Sequence, residues 1–176
     1  RSTMAKLRSA TDRTLINLNI SNDTYTDKCR VVINPGASLS YEMESDASKF
    51  MSSQLLVPQL YSMDDAGVKY AINERPLESG VVRLGCYIGE AGTYTLAAIN
   101  LPQDAENVIL TDKLLQKQTI LNSESYQFSA DMGTHDNRFE LSLLKNATKL
   151  VTAENNQTSV WCLDGTINVI TKAGNK

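Results

Sequence analysis

The sequence predicts an all-β fold: an antiparallel β-sandwich of jelly-roll type, with about ten to twelve short strands and little helix. Three observations carry this reading. Apolar and polar residues alternate with period 2 along most of the chain, turn residues punctuate the runs at roughly 8–12-residue spacing, and helical periodicity is poor.

In chain order, Ile16, Leu18 and Ile20 form the first alternating set, residues 29–33 a second short strand, and Asn34-Pro35-Gly36 a turn. One helical turn is plausible at 46–51, with Ser45 as its N-cap. Strands are expected at 59–63 and 68–72, joined across Asp64-Asp65-Ala66-Gly67. The sets Val82, Leu84, Cys86, Ile88 and Tyr94, Leu96, Ala98 flank Gly89-Glu90-Ala91-Gly92. Further strands are expected at 108–111 and 126–129, and Met132-Gly133-Thr134 leads into Phe139, Leu141 and Leu143. Within each set alternate side chains share one face, and the short connections imply antiparallel sheets with one face buried and one wet.

At 176 residues the chain can bury a sizeable core as one domain. We divide it into a sandwich at 1–148, a polar linker at 149–158 containing Glu154-Asn155-Asn156-Gln157, and a hairpin at 159–176. The hairpin pairs Ser159-Val160-Trp161-Cys162-Leu163 with Thr166-Ile167-Asn168-Val169-Ile170 across Asp164-Gly165. A lone hairpin is marginal in water, so it should either dock on the sandwich or open a truncated second domain. The chain begins on Arg1 without an apolar leader, which suggests a piece of something longer, with any export signal outside it.

The balance of 17 basic and 20 acidic residues, with no basic run, argues against nucleic acid as a partner. No run of about 18 apolar residues exists, so membrane insertion is not expected. Cys29, Cys86 and Cys162 lack metal-site spacing and read as small buried hydrophobes, with a single disulfide plus one leftover thiol as the alternative. The sequons at Asn19, Asn22, Asn146 and Asn156 matter only in a eukaryotic secreted protein.

His135, the sole histidine, lies in Gly133-Thr134-His135-Asp136-Asn137, which reads as a solvated turn with no nucleophile signature beside it. Asp64, Asp65, Asp131 and Asp136 are weak calcium candidates. Their spacing fits no EF-hand loop, and adjacent Asp residues in a hairpin usually serve the turn. Tyr25, Tyr41, Tyr61, Tyr70, Tyr87, Tyr94 and Tyr126 fall mostly in strands and are expected to pack, although an aromatic sugar platform would use the same residue type. Trp161 reads as the anchor of the final hairpin.

Several stretches together resemble the module that precedes the C-terminal sorting domain in type IX secreted and surface proteins of Bacteroidota. They are Asp46-Ala47-Ser48-Lys49, Gln59-Leu60-Tyr61-Ser62-Met63 with Gly67-Val68-Lys69-Tyr70-Ala71-Ile72-Asn73, Gly92-Thr93-Tyr94-Thr95-Leu96, and Val108-Ile109-Leu110-Thr111-Asp112. Tyr126-Gln127-Phe128 and Asp136-Asn137-Arg138-Phe139-Glu140-Leu141 complete the set. The resemblance implies export to the medium or the outer-membrane surface and a non-catalytic presentation role, with no cofactor and no catalytic residue. It also implies that the expected partners are other domains of the parent chain. Asp46 with Lys49, Arg138 as a strand-edge partner of Asp112 or Asp136, and Trp161 are the structural residues singled out, and partly exposed ion pairs of that kind contribute about 0–1 kcal/mol. Two alternatives stay open: a module binding a glycan or host protein, which predicts exposed tyrosines such as Tyr25, Tyr61 or Tyr126, and a hydrolase fragment, which predicts a cleft with converging acids or a His135 buried beside an acid.

Overall fold

A computed structural model describes residues 13–76, 80–101 and 106–143 with their side chains, and the backbone alone of Leu144 and of two strands at 158–163 and 166–171. All regular structure among the described residues is β. In order the strands are β1 (Thr14–Ser21), β2 (Thr26–Ile33), β3 (Ala47–Ser48), β4 (Gln59–Met63), β5 (Lys69–Arg75), β6 (Val82–Ile88), β7 (Gly92–Ile99), β8 (Asn107–Asp112), β9 (Lys117–Ile120), β10 (Tyr126–Ala130), β11 (Gly133–Leu144), β12 (Thr158–Leu163) and β13 (Thr166–Thr171). The two short strands β3 and β9 are the ones the alternation did not reveal. No helix among the described residues is long and apolar enough to cross a membrane.

Eleven strands form one sheet in the order β10-β7-β1-β2-β5-β4-β6-β11-β8-β9, with β3 added beside β5. The sheet is mixed rather than antiparallel throughout, because β2 and β5 run parallel, pairing Arg30–Ile33 with Ile72–Arg75. Alternation cannot reveal this: it fixes which face a side chain takes, while the direction of a neighbour is set by the long path between them. The sheet curls toward a barrel around one core, so that its ends approach each other. Ile16, Leu18 and Ile20 of β1, Tyr94 and Leu96 of β7, Leu84, Cys86 and Ile88 of β6, and Phe139, Leu141 and Leu143 of β11 all belong to this one cluster. These are the alternating sets of the sequence, and each turned its apolar parity inward.

Two local readings change. The expected helical turn at 46–51 is instead a bridge, with Ala47 opposite Ile72 and Ser48 opposite Tyr70. The Asp46 carboxylate is what holds the segment down: it accepts the Glu74 and Glu42 amides at 2.8 and 2.9 Å, tying this stretch to β5. The stretch 133–137 is not a turn but the start of β11, where Gly133, Thr134 and His135 pair with Ile88, Tyr87 and Cys86. The register then slips by two residues before Phe139 meets Leu84. An even slip preserves parity, which is why Phe139, Leu141 and Leu143 still face the core.

The β12–β13 hairpin forms a separate two-stranded sheet, with Val160 opposite Val169 and Trp161 opposite Asn168. Of the linker expected at 149–158, Thr158 begins β12 and residues 149–157 lie outside the described residues, as do the Asp164-Gly165 turn and the Trp161 and Cys162 side chains.

Candidate functional site

The most elaborate polar constellation sits where β8, β10 and β11 meet. Asp112 ends β8 and is fully buried, and Arg138 of β11 is only 7% exposed. Asp112 Oδ1 accepts the amides of Leu114 and Leu115 at 2.9 and 3.2 Å, which shapes the turn into β9. Oδ2 accepts the Tyr126 hydroxyl at 2.8 Å and Arg138 Nε and Nη2 at 3.1 and 2.9 Å. The third guanidinium nitrogen, Nη1, donates to the Ser129 carbonyl of β10 at 2.9 Å. The guanidinium also lies 4.7 and 5.0 Å from the ring centres of Phe128 and Phe139.

Arg138 is therefore no strand-edge residue with a half-exposed partner. It lies in the stretch of β11 where the register shifts, and its guanidinium ties β10 to β8 through the Ser129 carbonyl and Asp112. Of the two partners expected from sequence it takes Asp112; Asp136 goes elsewhere.

A second constellation lies on the outer side of β4, β6 and β11. The Tyr61 hydroxyl donates to Asp136 Oδ1 at 2.6 Å, Lys69 Nζ donates to the same hydroxyl at 3.0 Å, and Lys69 and Asp136 pair at 3.2 Å. Burial first, and the hydrogen bond to Asp136 second, push the Tyr61 phenol well above its ordinary pKa. Such a phenol keeps its proton and is the opposite of a catalytic tyrosinate. Its ring lies over Gly85, its cross-strand partner. A Cβ there would fall 2.4 Å from Tyr61 Cε2, so Gly85→Ala is expected to cost about 1–3 kcal/mol by overpacking, read as a lowered urea midpoint.

The calcium candidates are dispersed among other duties. Asp64 accepts the Val68 amide at 2.9 Å and the Tyr70 hydroxyl at 2.7 Å, closing the β4–β5 turn. Asp65 lies 3.4 Å from Arg83, and Asp136 serves Tyr61 and Lys69. At Asp131 the main-chain oxygen meets His135 Nε2 at 2.9 Å. Among the described residues no group of three or more His, Cys, Asp or Glu gathers in metal-binding geometry. Lys49 pairs with Asp27 rather than with Asp46, and the same Asp27 oxygen accepts the Leu60 amide at 2.7 Å.

Clefts open at the surface of the described residues. One of about 400 Å³ is lined by Thr93, Leu114, Ser129, Asp131, His135 and Arg138. Another, of about 650 Å³, lies over the outer face of β1, β7 and β10 and is lined by Ser21, Asn22, Asp23, Thr93, Thr95 and Gln127. Of the seven tyrosines, Tyr61, Tyr70, Tyr94 and Tyr126 are buried, Tyr25 and Tyr87 are half-buried, and Tyr41 is exposed, stacked 6.1 Å from Tyr70.

The family described as a domain of unknown function (DUF8693) matches residues 1–143. The chain belongs to that family. No curated protein and no solved structure gives a significant match.

Titration in this DUF8693 member follows from the same contacts. Burial alone would raise the Asp112 carboxyl, but the hydrogen bonds from Arg138, Tyr126 and Leu115 outweigh it and hold the group below the usual carboxylate range. Asp64 is lowered too, burial being overcome by the Tyr70 hydroxyl and the turn amides. The folded state thus binds fewer protons than the unfolded chain near the ordinary carboxylate pKa of about 3.9. The contribution is full above that pH and is lost as the pH falls below it. Tyr70 and Tyr126 are pushed up to about 12, by burial and by the carboxylates they donate to, so their contribution is lost as the pH rises from about 10 toward 12. Urea midpoints across both ranges check this, and Asp112→Asn is expected to flatten the acid limb.

Cys29 and Cys86 are free thiols, and burial pushes each up to about 12. Both are expected to resist thiol reagents in the native protein at pH 8 and to react on unfolding, as peptide mapping after labelling would show.

Proposed function

We propose that this domain is a non-catalytic structural and presentation module of a secreted or surface-attached bacterial protein, a sheet folded into sandwich form that holds neighbouring domains of its parent chain in place. The observation that carries this reading is the use made of the ionisable interior. Asp112 and Arg138 are spent on joining strands: the carboxylate accepts from Leu114, Leu115, Tyr126 and Arg138, and the guanidinium, although it lines one cleft, is held by Asp112 and the Ser129 carbonyl. A catalytic acid or base needs a free lone pair or proton at a site a substrate can reach. The burial of Tyr61, Tyr94 and Tyr126 supports the same reading over an aromatic sugar platform.

A second reading, glycan binding, is favoured by one observation: the cleft over β1, β7 and β10 is lined by hydroxyl, amide and carboxylate groups suited to a polyol. Replacing the domain in its parent protein by an unrelated β-sandwich of equal length separates the two. A presentation module is expected to be exchangeable, with surface display and the activity of the remaining domains retained. Loss of saturable glycan binding on exchange, and its loss also in Thr95→Val or Gln127→Ala, would replace the first reading with the second.

A further inference from the structure

The outer face of the β7–β10 pair is a strip of polar side chains. Tyr94, Leu96, Tyr126 and Phe128 are buried in the core cluster, so the alternate residues Thr93, Thr95, Gln127 and Ser129 take the opposite face. The register sets them side by side, Thr95 opposite Gln127 and Thr93 opposite Ser129. Among the described residues none of these four side chains is bonded to another protein group, so their hydroxyls and amide are left to solvent or a ligand. The clefts of about 400 and 650 Å³ both open on this strip, and Thr93 lines each of them. The larger runs past Thr95 to Asn22 and Asp23 at the β1–β2 turn, and the smaller past Ser129 to Asp131 and His135. From Thr95 to Gly92 the β7 backbone advances roughly 10 Å, so clefts that meet at Thr93 offer successive seats to a chain molecule.

The chemistry of the strip selects the class of chain. Hydroxyls, an amide and carboxylates match the donors and acceptors of a polyol, and His135 adds to them: its Nε2 donates to the Asp131 carbonyl at 2.9 Å, which leaves Nδ1 of the neutral ring as an acceptor. No lysine lines either cleft, and the one guanidinium, Arg138, is already paired with Asp112 at 2.9 Å. A polyanionic glycan would therefore meet Asp23 and Asp131 with no unpaired cation among the lining residues. An added peptide strand would need the free main-chain edge of β10, and there the Ser129 carbonyl is taken by Arg138 Nη1.

We propose that these clefts are adjoining subsites of one groove along the outer face of β7 and β10, which binds a linear, uncharged glycan of several sugar units. This rests on glycan binding, the second reading above, and adds to it the smaller cleft and the class of glycan. Calorimetric titration of the full chain with neutral oligosaccharides of the malto, cello, xylo and manno series, from single sugars to hexamers, tests it. At least one series is expected to gain about tenfold or more in affinity between the single sugar and the tetramer. Thr95→Val in the larger cleft, and Asp131→Ala and His135→Ala in the smaller, are each expected to weaken the tetramer about three- to tenfold, the worth of a hydrogen bond. None of the three positions is buried, and circular dichroism checks that each variant keeps its fold. Affinity that does not grow with chain length, or that responds to Thr95→Val but to neither variant of the smaller cleft, overturns the joined groove and leaves a single-sugar site in the larger cleft. No binding by any neutral series overturns the groove and the glycan reading together. Tighter binding of polygalacturonate oligomers, of heparin fragments or of an extended threonine-rich peptide than of every neutral series overturns the class of ligand.

Discussion

Arg138→Met is expected to lower folding stability by about 3–5 kcal/mol, because it leaves the Asp112 carboxylate buried with its main cationic partner gone. Methionine fills much of the slot between Phe128 and Phe139, so lost packing is a minor part of the effect. What goes is the pair of guanidinium hydrogen bonds to Oδ2 and the link from Nη1 to the Ser129 carbonyl. The loss should appear in urea unfolding as a lower midpoint and in heating as a fall of roughly 10–20 °C. Arg138→Lys keeps the charge but not the fork, so it should fall between the two. A loss under about 1 kcal/mol for the Met variant would place this pair among ordinary surface bridges.

Phe139→Ala is expected to cost a similar amount, about 3–5 kcal/mol, through a different cause: an emptied aromatic site. Phe139 is fully buried, its ring 4.9 Å from Phe128 and 6.3 Å from Tyr126, edge-on to both. Phe128 and Tyr126 belong to β10, the strand at one end of the sheet, while Phe139 lies beside Asp112 near the other. Truncation should therefore loosen β10 in particular. Hydrogen exchange is the measurement: amides at 126–130 should lose more protection than those of β1 or β2. Uniform loss across the sheet would mean that this cluster fills space without closing the fold.

Much of the sheet was legible because alternation reports a face directly. The inward sets in β1, β6, β7 and β11 needed only the period of a strand. The parallel pairing of β2 with β5 was hidden, since residues 30–33 and 72–75 meet only after the chain has travelled through β3 and β4. The stretch at 46–51 misled because Ser45 and Asp46 suit a helix cap equally well, and it is the long-range bond from the Glu74 amide that decides the outcome. In the candidate site, Arg138 and Asp112 could be paired by charge alone, but not their burial or the part of Tyr126. A signal was present: Asp112 closes the apolar run Val108-Ile109-Leu110, and Arg138 directly precedes Phe139. Charges abutting inward-facing sets at both ends are placed to meet inside.

The central claim is that Asp112 and Arg138 act as one unit that closes the sheet. A double-mutant cycle tests it most directly, with equilibrium urea unfolding of the wild type, Asp112→Leu, Arg138→Met and the double variant. Each single change strands a polar partner in the interior, and the double change removes both. The double variant is expected to lose clearly less than the two single losses combined, by at least about 1.5 kcal/mol. Losses that add to within about 0.5 kcal/mol would mean the two residues act independently, and would contradict it.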